Sequence, residues 1–442
     1  MDDYRTIADA VAARIAEGRL RPGDRLPPQR AFARRHRIAA STAARVYAEL
    51  VRRGLATGEV GRGTFVRAAP PPGEPALAEP AAARVDLELN FPVLPEQPAL
   101  LADGLGGLLR PDVLAAAMAP TGPAGTPAAR TAAASLLARA GWAPAPERML
   151  FAGNGRQAIA AAIAALVPTG GRLGVEALTY PVVKGIAARL GVTTVPLAMD
   201  ASGVTPAALR AAAPLAAVYL QPTLHNPLGV TMPERRRSRV AALLRDLGTS
   251  AVEDDIYAFL RGDLPPLAAY APERVIVVDS LSKRVAPGLT AGFAAPPGAL
   301  ADRVAAALRS GGWSAPRFAL DAATRWTTDG TVARLEAAKR RDAAARQRIA
   351  AEQLAGFTID ADPAAYHLWW RLPDPWRADT FVAAAAREGI AVTPGAAFTV
   401  TPNHAPNAVR LALASPSEPA LRTALSTLAA LARTSPEDTG VE

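Results

Sequence analysis

Apolar residues at Ile7, Ala8, Val11, Ala12 and Ile15 recur with helical period and predict a helix from Tyr4 to Glu17. Proline and glycine break the pattern through Gly18-Arg-Leu-Arg-Pro-Gly-Asp-Arg-Leu-Pro-Pro-Gln-Arg30, and a second helix is expected from about Pro28 to Arg35. After a short turn over Arg37 to Ala40, a third helix is predicted from about Ser41 to Arg53, with Val46, Leu50 and Val51 facing inward. Leu55 to Val66 reads as two short strands around a glycine tip. Helix, helix, turn, helix and hairpin in this order is a winged helix-turn-helix over residues 1–67. Residues 68–84, rich in proline and alanine and without alternation, predict a semi-rigid spacer. The pattern then changes to short, continuously apolar runs that end in polar residues: Ala217-Val-Tyr-Leu-Gln, Val252-Glu-Asp-Asp-Ile-Tyr257 and Val275-Ile-Val-Val-Asp-Ser-Leu-Ser-Lys283. Such runs predict strands buried on both faces, whose carboxyl ends are where open α/β sheets place ligands. The body is therefore expected to be α/β, with a large, mostly parallel sheet domain over 85–298 and a smaller α+β domain over 299–433. In the latter, His367-Leu-Trp-Trp-Arg-Leu372 reads as a core strand.

Charge sharpens the reading of the first module. Residues 1–67 hold fourteen arginines and seven acids, so +7 of the formal +9 lies in the first sixth of the chain. This asymmetry points to a nucleic-acid phosphate backbone, hence to DNA as partner. The expected contacts are Arg30 at the start of helix two, Ser41, Thr42 and Arg45 on the third helix, and Arg62 at the hairpin tip. The absence of cysteine excludes disulfides and thiol chemistry, and four scattered histidines give no metal site. No long apolar run escapes interruption by Arg, Gly or Pro, so a cytoplasmic protein without membrane contact is expected.

Only three lysines stand among the forty-six arginines, and Lys283 closes an apolar run. A guanidinium cannot give up its proton to become a nucleophile, so a lysine retained at this place is a candidate reactive amine. Lys184 and Lys339 are expected in ordinary helices.

Three motifs follow one another: Asn226-Pro-Leu-Gly229, Asp254-Asp-Ile-Tyr257 and Ser280-Leu-Ser-Lys283. From about Val85 to Arg433 the chain thereby resembles fold-type I pyridoxal-phosphate (PLP) enzymes of the aminotransferase class. Arg25-Leu-Pro-Pro-Gln-Arg30 together with Gly61-Arg-Gly-Thr-Phe65 is similar to the DNA-binding domain of the GntR family. The two halves joined by a linker resemble the MocR subfamily of bacterial regulators. That resemblance implies PLP as cofactor, held by Lys283 through its aldehyde. Asp254 would face the pyridine nitrogen, Asn226 and Tyr257 the phenolic oxygen, and Tyr180 the ring face. Gly155, Arg156 and Gln157 at a helix start, with Ser280 and Ser282, would hold the phosphate, and Arg410 would clamp an α-carboxylate. Glu253 and Asp255 are assigned no role. Three positions depart from the families' patterns. Thr290 replaces a phosphate-binding arginine, Pro120 falls where the partner subunit usually supplies a tyrosine, and Ala39-Ala-Ser-Thr42 replaces Ser-Arg-x-Thr. Arg156 or Arg284 is expected to restore the missing cation. The implied function is a homodimeric transcriptional regulator that senses an amino acid or amine. Two alternatives are an active aminotransferase with an accessory DNA-binding domain, and a regulator whose body has lost PLP.

Overall fold

The structure, a computed structural model, describes residues 4–16, 19–20, 24–52, 55–59, 63–66, 83–401 and 405–435. Arg62 and linker residues 68–82 lie outside the described residues. The chain divides into two compact units, residues 1–74 and 75–442.

In the first unit, helices Tyr4–Ala16, Gln29–His36 and Ala40–Arg52 precede an antiparallel pair, Ala56–Glu59 with Gly63–Val66. The chain turns from the second helix to the third through Arg37, whose φ of 53° lies in the left-handed region. Ile7, Ala8, Val11, Phe32, Ala43, Val46, Tyr47, Leu50 and Val66 form the core. Val51 is not part of it and stays 46 % exposed. At about 100° per residue it lies about 40° past Tyr47, beyond the edge of the buried stripe. The opposite face carries Ser41, Arg45 and Ala48, all exposed, while Thr42 is half-buried beside them. Arg30 is exposed in the first turn of helix Gln29–His36.

The second unit is built on a seven-stranded sheet in the order Leu150–Ala152, Gly292–Ala295, Val275–Ser280, Ser250–Asp254, Ala217–Leu220, Arg172–Glu176, Thr193–Leu197. Gly292–Ala295 runs antiparallel to both its neighbours and the other pairings are parallel. Alternate residues feed two separate cores: Val275, Val277, Val218 and Leu220 face one, Ile276, Val278, Ala217 and Tyr219 the other. Both faces are covered, which is why the strands read as unbroken apolar runs. Helices Pro127–Leu137, Glu234–Asp246 and Arg317–Thr328 cover the first face, and Gly155–Leu166, Pro181–Arg189 and Gly298–Ser310 the second.

A smaller sheet, Thr358–Ala361, His367–Arg371, Ala408–Ala412, Thr393–Pro394, is antiparallel throughout. Trp370 is fully buried in its core against Phe357 and Phe381. Two features divide the cores differently from a boundary at 299. Leu320 and Trp326 pack on the large sheet, and Val85–Asp86 pairs with Ile390–Ala391, so that Leu87 enters the small-sheet core. The helix Thr331–Gln353 spans both cores, with Val332 and Leu335 in one and Ile349 and Ala350 in the other. Among the described residues no helix is long and apolar enough to cross a membrane.

Candidate functional site

Parallel pairing brings the carboxyl ends of three central strands to one edge, where Asp254, Gln221 and Ser280 stand together. Asp254 is buried. It accepts hydrogen bonds from Tyr219 Oη, from Gln221 Nε2 (2.9 Å) and from the Ile256 amide (3.1 Å). Burial lifts its pKa to about 6 against the pull of these donors. A cation placed beside this carboxylate would restore its charge. Its neighbours point away, as strand alternation requires. Glu253 accepts from the amides of Leu267 and Ala268 and lies 3.5 Å from Arg237. Asp255 is forked by Arg139, with Nη2 donating to Oδ1 at 3.0 Å.

Lys283 sits in the one-turn helix Leu281–Arg284 that follows strand Val275–Ser280. Its Nζ donates to the carbonyl of Asn90 at 2.6 Å and lies 4.6 Å from the centre of the Phe91 ring. Desolvation, followed by the nearby cations Arg410, Arg156 and Lys339, lowers its pKa to about 7, with Asp254 opposing. The amine is thus available as a free base near neutrality.

Around this pair the structure gathers the other expected residues. The hydroxyl of Tyr257, its pKa pushed by burial to about 12, accepts from Asn90 Nδ2 at 3.1 Å. Asn226 is buried, and its Oδ1 has no hydrogen-bond partner among the described residues. The same holds for Asn90 Oδ1. Tyr180 accepts from Arg156 Nε at 3.2 Å and immediately precedes helix Pro181–Arg189.

Helix Gly155–Leu166 is capped by Asn154, whose Oδ1 accepts from the Gln157 amide at 3.0 Å. A Cβ on Gly155 would come within 3.0 Å of Ser280 Oγ, and one on Gly292 would run into the Asn154 carbonyl. Glycine at both places lets strand and helix start approach closely, which sets Gly155 against Ser280. Ser282 Oγ lies 3.0 Å from Thr290 Oγ1, the residue that replaces the arginine.

Arg284 does not supply the missing cation. It is buried and divided between Asp279, at 3.1 Å from Nε and 2.6 Å from Nη2, and Glu336. A guanidinium already paired with two carboxylates has little left for a third anion. Arg156 keeps its place at the helix start. Pro120 is exposed.

Arg410 is buried on strand Ala408–Ala412. Nη2 donates to the Glu88 carbonyl at 2.6 Å and to Thr393 Oγ1 at 2.9 Å, and Nε has no partner among the described residues. Its guanidinium lies 5.3 Å from the Phe398 ring centre. Segment 88–91 therefore spans the site, one carbonyl on Arg410 and another on Lys283. Sequence reasoning passed over this segment, although Leu87-Glu-Leu-Asn90 alternates like a strand whose polar side needs a partner. Tyr219 and Gln221 were missed as well. The other two lysines are not ordinary helix residues. Lys184 Nζ donates to the carbonyls of Ala397 (2.6 Å) and Thr399 (3.0 Å), and fully buried Lys339 donates to those of Lys283 (2.9 Å) and Val285 (2.6 Å).

These residues fit PLP. Asp254 matches a ring nitrogen, the orphaned Asn226 Oδ1 marks a polar contact left open, the Gly155 cradle and Arg156 match a phosphate, and Lys283 supplies an amine.

Comparison with known proteins agrees with this geometry. Residues 119–428 match the family model described as Aminotransferase class I and II, and residues 3–66 match Bacterial regulatory proteins, gntR family. YdeF of Bacillus subtilis (strain 168), an HTH-type transcriptional regulator, is 28% identical over 420 residues, covering 93% of this chain and 90% of that protein. PtsJ of Salmonella typhimurium, a vitamin B6 salvage pathway transcriptional repressor, is 26% identical over 417 residues, covering 90% of this chain and 92% of its own length. Among solved structures, the α-aminoadipate aminotransferase LysN of Thermus thermophilus superposes with a TM-score of 0.71 at 22% identity, over 79% of this chain and 92% of that one, a likeness of fold. With most of its length matched by that family and a gntR-type domain ahead of it, the chain belongs to the aminotransferase class I and II family and has the architecture of the MocR-type regulators.

Proposed function

We propose that the protein is a PLP-dependent transcriptional regulator that binds DNA through its first domain and senses an amino acid or amine through its body. The observation that carries this reading is the convergence of Lys283 and Arg410 on one segment, residues 88–91, in a chain that also carries a gntR-type domain. PLP, when bound, supplies an aldehyde that condenses with amines and a cationic ring that withdraws electrons from them. Asp254 holds the charge that keeps such a ring protonated, and Tyr219 and Gln221 fix the orientation of its carboxylate. Gly155, Arg156, Ser280 and Ser282 hold the phosphate, Asn226 and Tyr257 the phenolic oxygen, and Tyr180 the ring face. Arg410, its Nε unengaged, clamps a carboxylate and thereby favours amino acids over simple amines. Exposed Arg30, Ser41 and Arg45, with half-buried Thr42, form the DNA-facing surface. The body is a homodimer, as its family implies, so two DNA-binding domains read two half-sites. The relative named for vitamin B6 salvage supports a cofactor of that chemistry.

The test is spectroscopic. Purified wild type given PLP develops a visible absorbance band that Lys283→Ala abolishes. A wild type that stays colourless in excess PLP would remove the basis of the reading.

A further inference from the structure

Three lysines survive among forty-six arginines, and all three point their ammonium at main-chain carbonyls. A compact ammonium suits converging carbonyls, whereas the flat fork of a guanidinium suits carboxylates and phosphates. Lys339 is the most enclosed of them, fully buried on helix Thr331–Gln353. Its two acceptors, the carbonyls of Lys283 and Val285, lie at the carboxyl end of the one-turn helix that carries the reactive amine, and Gln97 Nε2 adds a second donor to Val285 at 3.0 Å. One turn earlier on the same long helix, Glu336 takes Arg284, and one residue later Arg340 Nε donates to the Phe259 carbonyl at 2.6 Å. Further along, Gln347 Nε2 donates to the carbonyls of Ala365 (2.8 Å) and His367 (3.0 Å), and Arg346 Nη1 to those of Leu413 (2.7 Å) and Pro416 (2.6 Å). The helix thus grips the Lys283 turn with one part and the flank of the Arg410 sheet with another.

We propose that Lys339 is a positioning residue for Lys283: its ammonium fixes the backbone on which the amine is mounted and keeps that backbone in register with the sheet that carries Arg410. This rests on the PLP reading above. The electrostatics point the same way. Lys339 stands with Arg410 and Arg156 among the cations that hold Lys283 below the usual lysine range, with Asp254 opposing. Lys339 itself is pulled down to about 7 by desolvation, with Asp342 and Glu336 facing it and pulling the other way.

The experiment measures how fast cofactor-free protein captures PLP, by growth of the visible band, across pH 6 to 9, in wild type and in Lys339→Met, Lys339→Gln and Lys339→Arg. Loss of the cation in Lys339→Met raises the midpoint of the rate profile by less than about one pH unit and slows capture at neutral pH by up to about tenfold. Lys339→Arg, which keeps donors and stays charged throughout, restores capture at neutral pH and brings the midpoint to the wild-type value or below it, while Lys339→Gln, a donor without charge, shows the raised one. Circular dichroism melts verify folding, and if Lys339→Met does not fold, Gln against Arg makes the same comparison. A Lys339→Met profile that superimposes on wild type overturns the proposal, and so does slowing that Lys339→Arg fails to relieve. A wild type that captures no PLP overturns the cofactor reading and this inference with it, before any variant is compared.

Discussion

Lys283 owes its chemistry to its neighbours. A lysine whose folded pKa is lowered to about 7 is mostly neutral above that pH and mostly charged below it. The rate of PLP capture therefore rises about tenfold per pH unit up to about pH 7 and levels off above it. Stopped-flow absorbance across pH 5 to 9 checks this, and a rise that continues to pH 10 would show an ordinary lysine. Asp254 works in the opposite sense. Its raised pKa means that the ionised carboxylate is under strain in the cofactor-free site, and a ring cation relieves it most fully above about pH 6. Both groups therefore favour cofactor capture on the alkaline side of neutrality.

At the level of elements, two close approaches carry specific expectations. Gly292→Ala drives a methyl into the Asn154 carbonyl at the start of helix Gly155–Leu166. Overpacking of this kind costs about 1–3 kcal/mol, and under the proposed function the displaced helix start would lose its grip on phosphate. A spectrophotometric titration should show PLP affinity falling at least about tenfold, while Gly288→Ala, where an added Cβ meets nothing within 4 Å, leaves it unchanged. In the DNA-binding unit, Arg30→Ala weakens binding about evenly across sequences and makes the log affinity against log salt slope shallower by about one counterion. Gel shifts at several salt concentrations read this out, and an effect confined to one operator would make Arg30 a base reader instead. The motifs at the ends of the central strands were legible because burial on both faces leaves apolar runs with polar tips. Contacts between distant segments were not. Asn90 meets Lys283 across 193 positions, and Glu336 claims Arg284 across 52, so no local pattern could tell that one residue was in the site and the other withdrawn from it. Val51 failed for a geometric reason, since a helical stripe has an edge that periodicity alone does not mark.

For the molecule as a whole, the expected assembly is a pair. Light scattering at micromolar concentration should give twice the chain mass, and a monomer would refute the two-half-site reading. Arg410→Ala should keep the visible band and basal DNA affinity yet lose the influence of an added amino acid on DNA binding. Only a ligand that binds two states unequally can shift the balance between them, and under the proposed function a carboxylate gripped by Arg410 would be the source of that inequality. An unchanged response would place the coupling elsewhere.

Segment 88–91 accepts hydrogen bonds from Arg410 and Lys283 through two main-chain carbonyl oxygens, those of Glu88 and Asn90. Every amino acid offers the same oxygen, so replacement of Glu88 or Asn90 one at a time leaves both contacts in place. A scan that trims side chains would register the Asn90 amide on Tyr257 and the Phe91 ring beside Lys283, yet pass over these two carbonyls in silence. What interrupts it is a change in the path of the chain, such as a residue inserted or deleted between Leu87 and Phe91. The two carbonyl contacts are therefore tolerant in spelling and strict in length, a constraint that an inventory of permitted substitutions would never reveal.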